Sequence, residues 1–199
     1  EAIQLLQSTR RKLKHYHAEL DATLCDLLTD HAAYLNDEAS DLNGALKYVQ
    51  QALKIDANHA GAKRMAGIVY HKMALKHVEA KRFQDAKADA QRALDIDPTD
   101  EQFDFWAWTC CQHAIHLASM NQYLAAIRIV EGLLNLQQLP NSVNLPKLLS
   151  ALYTDYGAVL WNSGQDRYGA KKQWELALRL DPTNTVARSN LRQVGGVWW

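Results

Sequence analysis

The sequence predicts an all-α protein made of stacked helical units, and three observations carry that prediction. A short phrase occurs three times, as Ala52-Leu-Lys-Ile-Asp-Ala57, Ala93-Leu-Asp-Ile-Asp-Pro98 and Ala177-Leu-Arg-Leu-Asp-Pro182. Each copy closes an amphipathic segment at a turn or a helix-stopping residue, as recurring helical units do. All four prolines (Pro98, Pro140, Pro146, Pro182) lie in the second half, so the residues before Pro98 are free to be helical almost throughout. Strand alternation is absent.

Taken in order, residues 1–36 contain neither Pro nor Gly, and Ile3, Leu5, Leu6, Leu13, Tyr16, Leu20, Leu24, Leu27 and Leu28 recur at helical spacing. One long helix is the first expectation there, and two helices with an unmarked turn near Tyr16 the second. Leu42, Ala45, Val49 and Ala52 mark the next helix. Ala66-Gly67 and Tyr70, then Phe83, Ala86, Ala90 and Ala93, mark a pair of helices ending at Pro98. The following pair repeats that template at a constant offset of about 40 residues, from Ala66 to Trp106, Gly67 to Ala107, Tyr70 to Cys110, Phe83 to Tyr123 and Ala86 to Ala126. Gln137 to Asn144 is the clearest irregular loop. Tyr156-Gly157, Leu160-Trp161 and Gly164 precede Ala170, Trp174 and Ala177 in the last pair, and residues 185–194 form an amphipathic helix suited to capping an array. Small residues let helix backbones approach, and the aromatics fill the space between pairs.

These small and aromatic positions resemble the tetratricopeptide repeat family, whose unit is an antiparallel helix pair of about 34 residues. The resemblance covers residues 18–194. It implies a right-handed superhelix of antiparallel helix pairs with a C-terminal capping helix, the pairs spanning about 18–59, 60–99, 100–138 and 145–184, and the cap 185–194. Residues 1–17 are a helical extension and 195–199 a tail. The 16 residues from Gly67 to Phe83 exceed the family spacing by close to whole turns, which adds length without rotating the buried face. The first helices of the first three pairs are therefore expected to be long.

Composition narrows function. With 22 basic and 22 acidic residues in 199, 48% hydrophobic and 22% charged, the chain can bury a core and has no global preference for nucleic acid or an anionic membrane. No apolar run reaches the roughly 20 residues of a membrane span. Three cysteines, Cys25 and the adjacent Cys110 and Cys111, do not make an ordinary disulfide framework, which favours the cytoplasm or another reducing compartment. The opening on Glu1 without Met suggests a longer parent protein. No glycine-rich phosphate loop, nucleophile elbow or zinc-protease motif is present, so no enzyme activity and no cofactor is expected.

Four constellations admit both a functional and a plainer reading. Cys110, His113 and His116 have metal-ligand types along one side of a helix, but a buried structural cysteine with partly exposed histidines is the favoured reading. Arg10 to Lys14 with His15 and His17 reads as a solvated helix end rather than a phosphate site. Of Phe103, Phe105, Trp106 and Trp108, Trp106 is assigned to the core and Trp108 to either core or groove. The tail Gly195-Gly-Val-Trp-Trp199 either folds back into a groove or stays in solvent.

The resemblance implies a non-catalytic protein-interaction scaffold or adaptor of co-chaperone type, holding a partner's peptide or helix in a concave groove of first helices. Carried over residue by residue, the groove comprises Arg64, Ile68, His71 and Lys72, then Asp104, Trp108, Cys111 and Gln112, then Thr154, Ala158, Trp161 and Asn162, with Asp26 and Asp30 added from the first pair. Chaperone-binding relatives clamp a C-terminal carboxylate with asparagine at a place where Ile68, Trp108 and Ala158 stand, which disfavours acidic chaperone tails. A mixed-charge peptide or amphipathic helix suits Arg64 and Lys72 opposite Asp26 and Asp104 better. The alternative reading is an assembly subunit forming homo-oligomers through its long helices or tryptophan tail. A metal or redox site at Cys110 and Cys111 ranks third.

Overall fold

The computed structural model describes residues 1–12, 18–164 and 166–195. The described helices are α1 (Ala2–Lys12), α2 (Ala18–Asp37), α3 (Leu42–Ile55), α4 (Ala60–Glu79), α5 (Phe83–Ile96), α6 (Asp100–Ser119), α7 (Tyr123–Leu134), α8 (Leu145–Ser163), α9 (Arg167–Leu180) and α10 (Thr185–Gly195), and no strand occurs among the described residues. The chain divides into two compact units, Glu1–Trp106 and Ala107–Trp199, with the boundary inside α6.

In the first unit α2 packs on α3, α3 on α4 and α4 on α5. Two apolar clusters result. One joins Ala32, Leu42, Ala45, Val49, Met65, Ala66 and Val69, and the other joins Leu24, Cys25, Leu28, Ala52 and Ala62. Ile3 and Leu6 of α1 pack against the second cluster, and Arg10 pairs with the buried Asp21. A continuous helix would separate Ile3 from Leu24 by about 30 Å at 1.5 Å per residue. The single long helix over residues 1–36 is thereby corrected: α1 and α2 are separate helices lying side by side. Leu13 to His17 of the basic run fall outside the described residues. In the second unit α8 packs on α9 and α7, and α10 packs on α9 and more lightly on α8.

The repeated phrase has one structural meaning in all three copies. Ala52, Ala93 and Ala177 are fully buried, and their carbonyls accept the backbone N–H of Asp56, Asp97 and Asp181 at 2.9, 3.0 and 2.9 Å, ending α3, α5 and α9. Two to three residues later a side chain caps the next helix. His59 Nδ1 accepts from the Ala62 N–H at 3.1 Å, Thr99 Oγ1 from Gln102 at 3.2 Å and Asn184 Oδ1 from Ala187 at 3.0 Å. The phrase is a helix stop coupled to a helix start.

The turn inside each pair is built in the same way, by one residue of positive φ: Ser40 at 51°, Lys81 at 58°, Asn121 at 60° and Gly164 at 69°. After α4, the Arg82 N–H donates to the His77 carbonyl at 2.8 Å, and after α6 the Gln122 N–H donates to Leu117 at 2.9 Å. These are six-to-one bonds of the kind that terminate helices at a left-handed residue. Gly164 and Asn121 are residue types that this conformation favours, whereas Ser40 and Lys81 are not. Lys81→Gly is accordingly expected to stabilise the protein by about 0.5–1 kcal/mol, read as a rise in the urea midpoint at unchanged slope. A fall in the midpoint would show that the Lys81 side chain contributes more than its backbone costs.

First helices outlast their partners. α2, α4 and α6 have 20 residues each against 14, 14 and 12 for α3, α5 and α7, as the spacing predicted. α8 has 19 against 14 for α9, so the fourth pair shares the extension.

Candidate functional site

The open faces of the first helices are where the sequence placed a partner, and each unit presents one. On α4 the buried residues Ala62, Met65, Ala66, Val69 and Tyr70 leave Arg64, Ile68, Lys72 and Leu75 along the other side at spacings of four, four and three. Arg64 is exposed, Ile68 is 39% exposed, and His71, Lys72 and Leu75 are half-buried. Lys72 Nζ reaches Asp37 Oδ1 of α2 at 3.1 Å, which brings the Asp30, Tyr34, Asp37 face of α2 beside it. Tyr34 is 57% exposed. On the other flank His71 stacks on Phe105 of α6, with ring centroids 3.5 Å apart and planes within 12°. Burial pushes the His71 imidazole below its ordinary value, against a hydrogen bond with Gln102 that acts in the opposite sense. Asp104 is half-buried. Asp26 pairs with His59 at 3.1 Å and Asp30 is exposed.

In the second unit Trp108 and Gln112 are half-buried and Ile115 is 45% exposed, all on one side of α6. Cys111, carried into the groove by the family resemblance, is 1% exposed and belongs to the interior with Cys110. On α8 the exposed line is Asp155, Val159 and Asn162, with Val159 39% exposed and Ala158 and Trp161 half-buried beside it. Thr154 is not on that line. It is 4% exposed, its hydroxyl donates to the Ser150 carbonyl at 2.8 Å and accepts from Asn184 Nδ2 at 2.9 Å, and its carbonyl accepts the Trp174 indole N–H at 3.0 Å. Thr154 is therefore a structural residue, covered by Trp174 and Asn184. Trp161 leans against Trp174 with centroids 6.0 Å apart and lies under the Arg167 guanidinium at 5.1 Å.

The physical reason for the Thr154 error lies in the reference point. Equating Gly67 with Gly157 aligns two buried glycines, but Gly67 stands fourteen residues before its turn residue Lys81 and Gly157 only seven before Gly164. Seven residues are two turns, so the predicted positions kept roughly the right side of the helix and slid along it. Counted back from the turn, an apolar residue recurs on every first helix: Tyr34, Leu75 and Ile115 six residues before Ser40, Lys81 and Asn121, and Val159 five before Gly164. That spacing was the available signal for Tyr34, Ile115 and Val159.

Among the described residues no group of three or more His, Cys, Asp or Glu side chains is arranged to hold a metal ion, and His113 is buried at 8% exposure. Burial and the neighbouring Cys110 push the Cys111 thiol up to about 12. Since the thiolate is the reacting form, Cys111 in the native protein is expected to react with an aromatic disulfide at pH 8 on the order of a thousand times more slowly than a free thiol. The rate should become normal in urea. A fast native phase assigned to Cys111 by mass spectrometry would contradict its placement.

No family model matches the chain, and no curated protein matches it. Solved structures that resemble it include two tetratricopeptide repeat proteins. The first TPR of Spaghetti (RPAP3) bound to HSP90 peptide SRMEEVD is 19% identical, covering 67% of this chain and 93% of that one with a TM-score of 0.33. YrrB, a TPR protein with an unusual peptide-binding site, is 15% identical, covering 96% and 98% with a TM-score of 0.31. No described helix is long and apolar enough to cross a membrane. From its own helices, the chain is an all-α helical repeat of tetratricopeptide-like pairs, long first helix followed by shorter second helix.

Proposed function

We propose that this chain is a non-catalytic interaction scaffold that holds a peptide or helix of a partner protein on the open faces of its first helices. One observation carries the reading. Each first helix leaves one large apolar side chain exposed among polar neighbours: Tyr34 at 57%, Ile68 at 39%, Ile115 at 45% and Val159 at 39%. Amphipathic helices or peptides use matching apolar positions as anchors. Arg64 and Lys72, Asp104 and Asn162 supply the polar partners around them, with Trp108 and Gln112 flanking Ile115. An adaptor of co-chaperone type is the finer form of the proposal, with a mixed-charge helix rather than an acidic tail as its ligand.

The test is a peptide selection on the intact chain followed by affinity measurements with the selected peptides. Ile68→Glu and Val159→Glu, each on an exposed site, are expected to keep the circular dichroism of the parent and weaken the selected peptides at least tenfold. Equal affinity for parent and both variants would remove the first-helix faces from the binding reaction.

A further inference from the structure

The second helix of the last pair carries a different surface. A cleft of about 610 Å³ runs along α9, walled by Trp161, Tyr168 and Leu176 and edged by Arg167, Lys172 and Arg179. Tyr168, Lys172, Leu176 and Arg179 follow one another at spacings of four, four and three, on the side of α9 away from the buried Ala170, Trp174 and Ala177. Tyr168 is 82% exposed, more than any other large apolar or aromatic residue among the described ones.

The charge on this cleft departs from that of the chain. Four cations line it, Lys171 being the fourth, against one carboxylate, Glu175, in a protein with equal numbers of acidic and basic residues. Glu175 faces Lys171 at 4.0 Å, and Arg167 is held over the Trp161 ring. Lys172 and Arg179 make no ion pair among the described residues. Two unneutralised cations beside an aromatic and aliphatic wall select a ligand with both carboxylates and a large apolar side chain. From Tyr168 to Arg179 the stripe spans about 16 Å, the length of about five extended residues.

We propose that this cleft binds a short acidic segment of a partner protein. A bulky apolar side chain of that segment rests against Trp161 and Leu176, and flanking carboxylates meet Lys172 and Arg179. Apart from Trp161 of α8, the surface is built on α9 rather than on the first helices, so the chain carries a second ligand distinct from the one on the first-helix faces.

Fluorescence anisotropy with the labelled probe acetyl-Asp-Glu-Phe-Glu-Asp-amide tests this on the full chain. The expected result is saturable binding that weakens as salt is raised. It should fall at least tenfold in Lys172→Glu/Arg179→Glu, and at least fivefold when the probe's phenylalanine is replaced by alanine. Both substituted residues are exposed, and circular dichroism confirms that the variant folds. Ile68→Glu should leave the probe's affinity unchanged, which separates this site from the first-helix faces whichever of the two proposals fails. Absence of saturation at millimolar protein, or equal affinity in parent and variant, overturns the proposal. Tighter binding of a single-stranded RNA oligonucleotide with the same dependence on Lys172 and Arg179 overturns it in favour of nucleic acid. Concentration-dependent dimerisation abolished by Tyr168→Ser, without probe binding, assigns the cleft to a second copy and overturns it equally.

Discussion

Trp174→Ala is expected to lower the unfolding free energy by about 3–5 kcal/mol, the range for truncating a buried aromatic. Trp174 is 2% exposed, and its indole N–H donates to the Thr154 carbonyl. It also lies against Gly157, where an added Cβ would stand 2.6 Å from Nε1 and 2.9 Å from Cδ1. Gly157→Ala improves helix propensity by up to about 1 kcal/mol, yet the contact is with a packed ring that has nowhere to move, so a net loss of about 1–3 kcal/mol is expected. The two residues should therefore couple. In a Trp174→Phe background, where the five-membered ring is gone, Gly157→Ala should cost less than in the parent, with a coupling of about 0.5–3 kcal/mol from urea unfolding. Additive behaviour would mean that the close approach of α8 and α9 does not depend on that ring.

The second large effect belongs to Asn184. Its Oδ1 caps α10 through the Ala187 N–H, while its Nδ2 donates to Ser150 Oγ and Thr154 Oγ1, each at 2.9 Å. Ser150 in turn donates to the Ala177 carbonyl at 2.8 Å. One side chain thus ties the cap helix to both members of the last pair. Asn184→Ala removes the cap, for about 1 kcal/mol, and two partly buried hydrogen bonds, for about 0.5–1.5 kcal/mol each. A total loss of about 2–4 kcal/mol is expected. Asn184→Asp keeps the acceptor but loses both N–H donors, so it should recover the capping part alone. Full recovery by aspartate would show that the bonds to Ser150 and Thr154 contribute nothing to stability.

Much of the helical order was legible because the chain punctuates it. The alanine of the repeated phrase is small since it packs with no exposed surface, and the Asp after it occupies the helix stop, so both features survive as letters. The turns within pairs were hidden for the opposite reason. A left-handed residue is most visible as glycine, and only Gly164 is one. Ser40 and Lys81 hold the same conformation through backbone bonds that leave no compositional trace. The break between α1 and α2 was likewise unmarked, with neither Pro nor Gly between Glu1 and Asn36, and it is the packing of Ile3 and Leu6 on Leu24, Cys25 and Leu28 that reveals it. At the candidate surfaces, Arg64 and Ile68 follow from helical spacing alone. Thr154 does not, because its burial is imposed by Trp174 and Asn184, residues 20 and 30 positions away.

The extra turns of α4 carry a thermodynamic consequence. Met73, in the added length, packs against the cluster that Met65, Ala66 and Val69 form with residues of α2 and α3, so this overhang is spent on the preceding pair. In an array treated as a row of units, that shifts free energy from the intrinsic term of each pair to the term linking neighbours. A row dominated by linking terms melts as a block. The slowest-exchanging amides of α3 and α4 should then open with one common free energy, and excising the first pair would release the second from its fold rather than merely shorten the array.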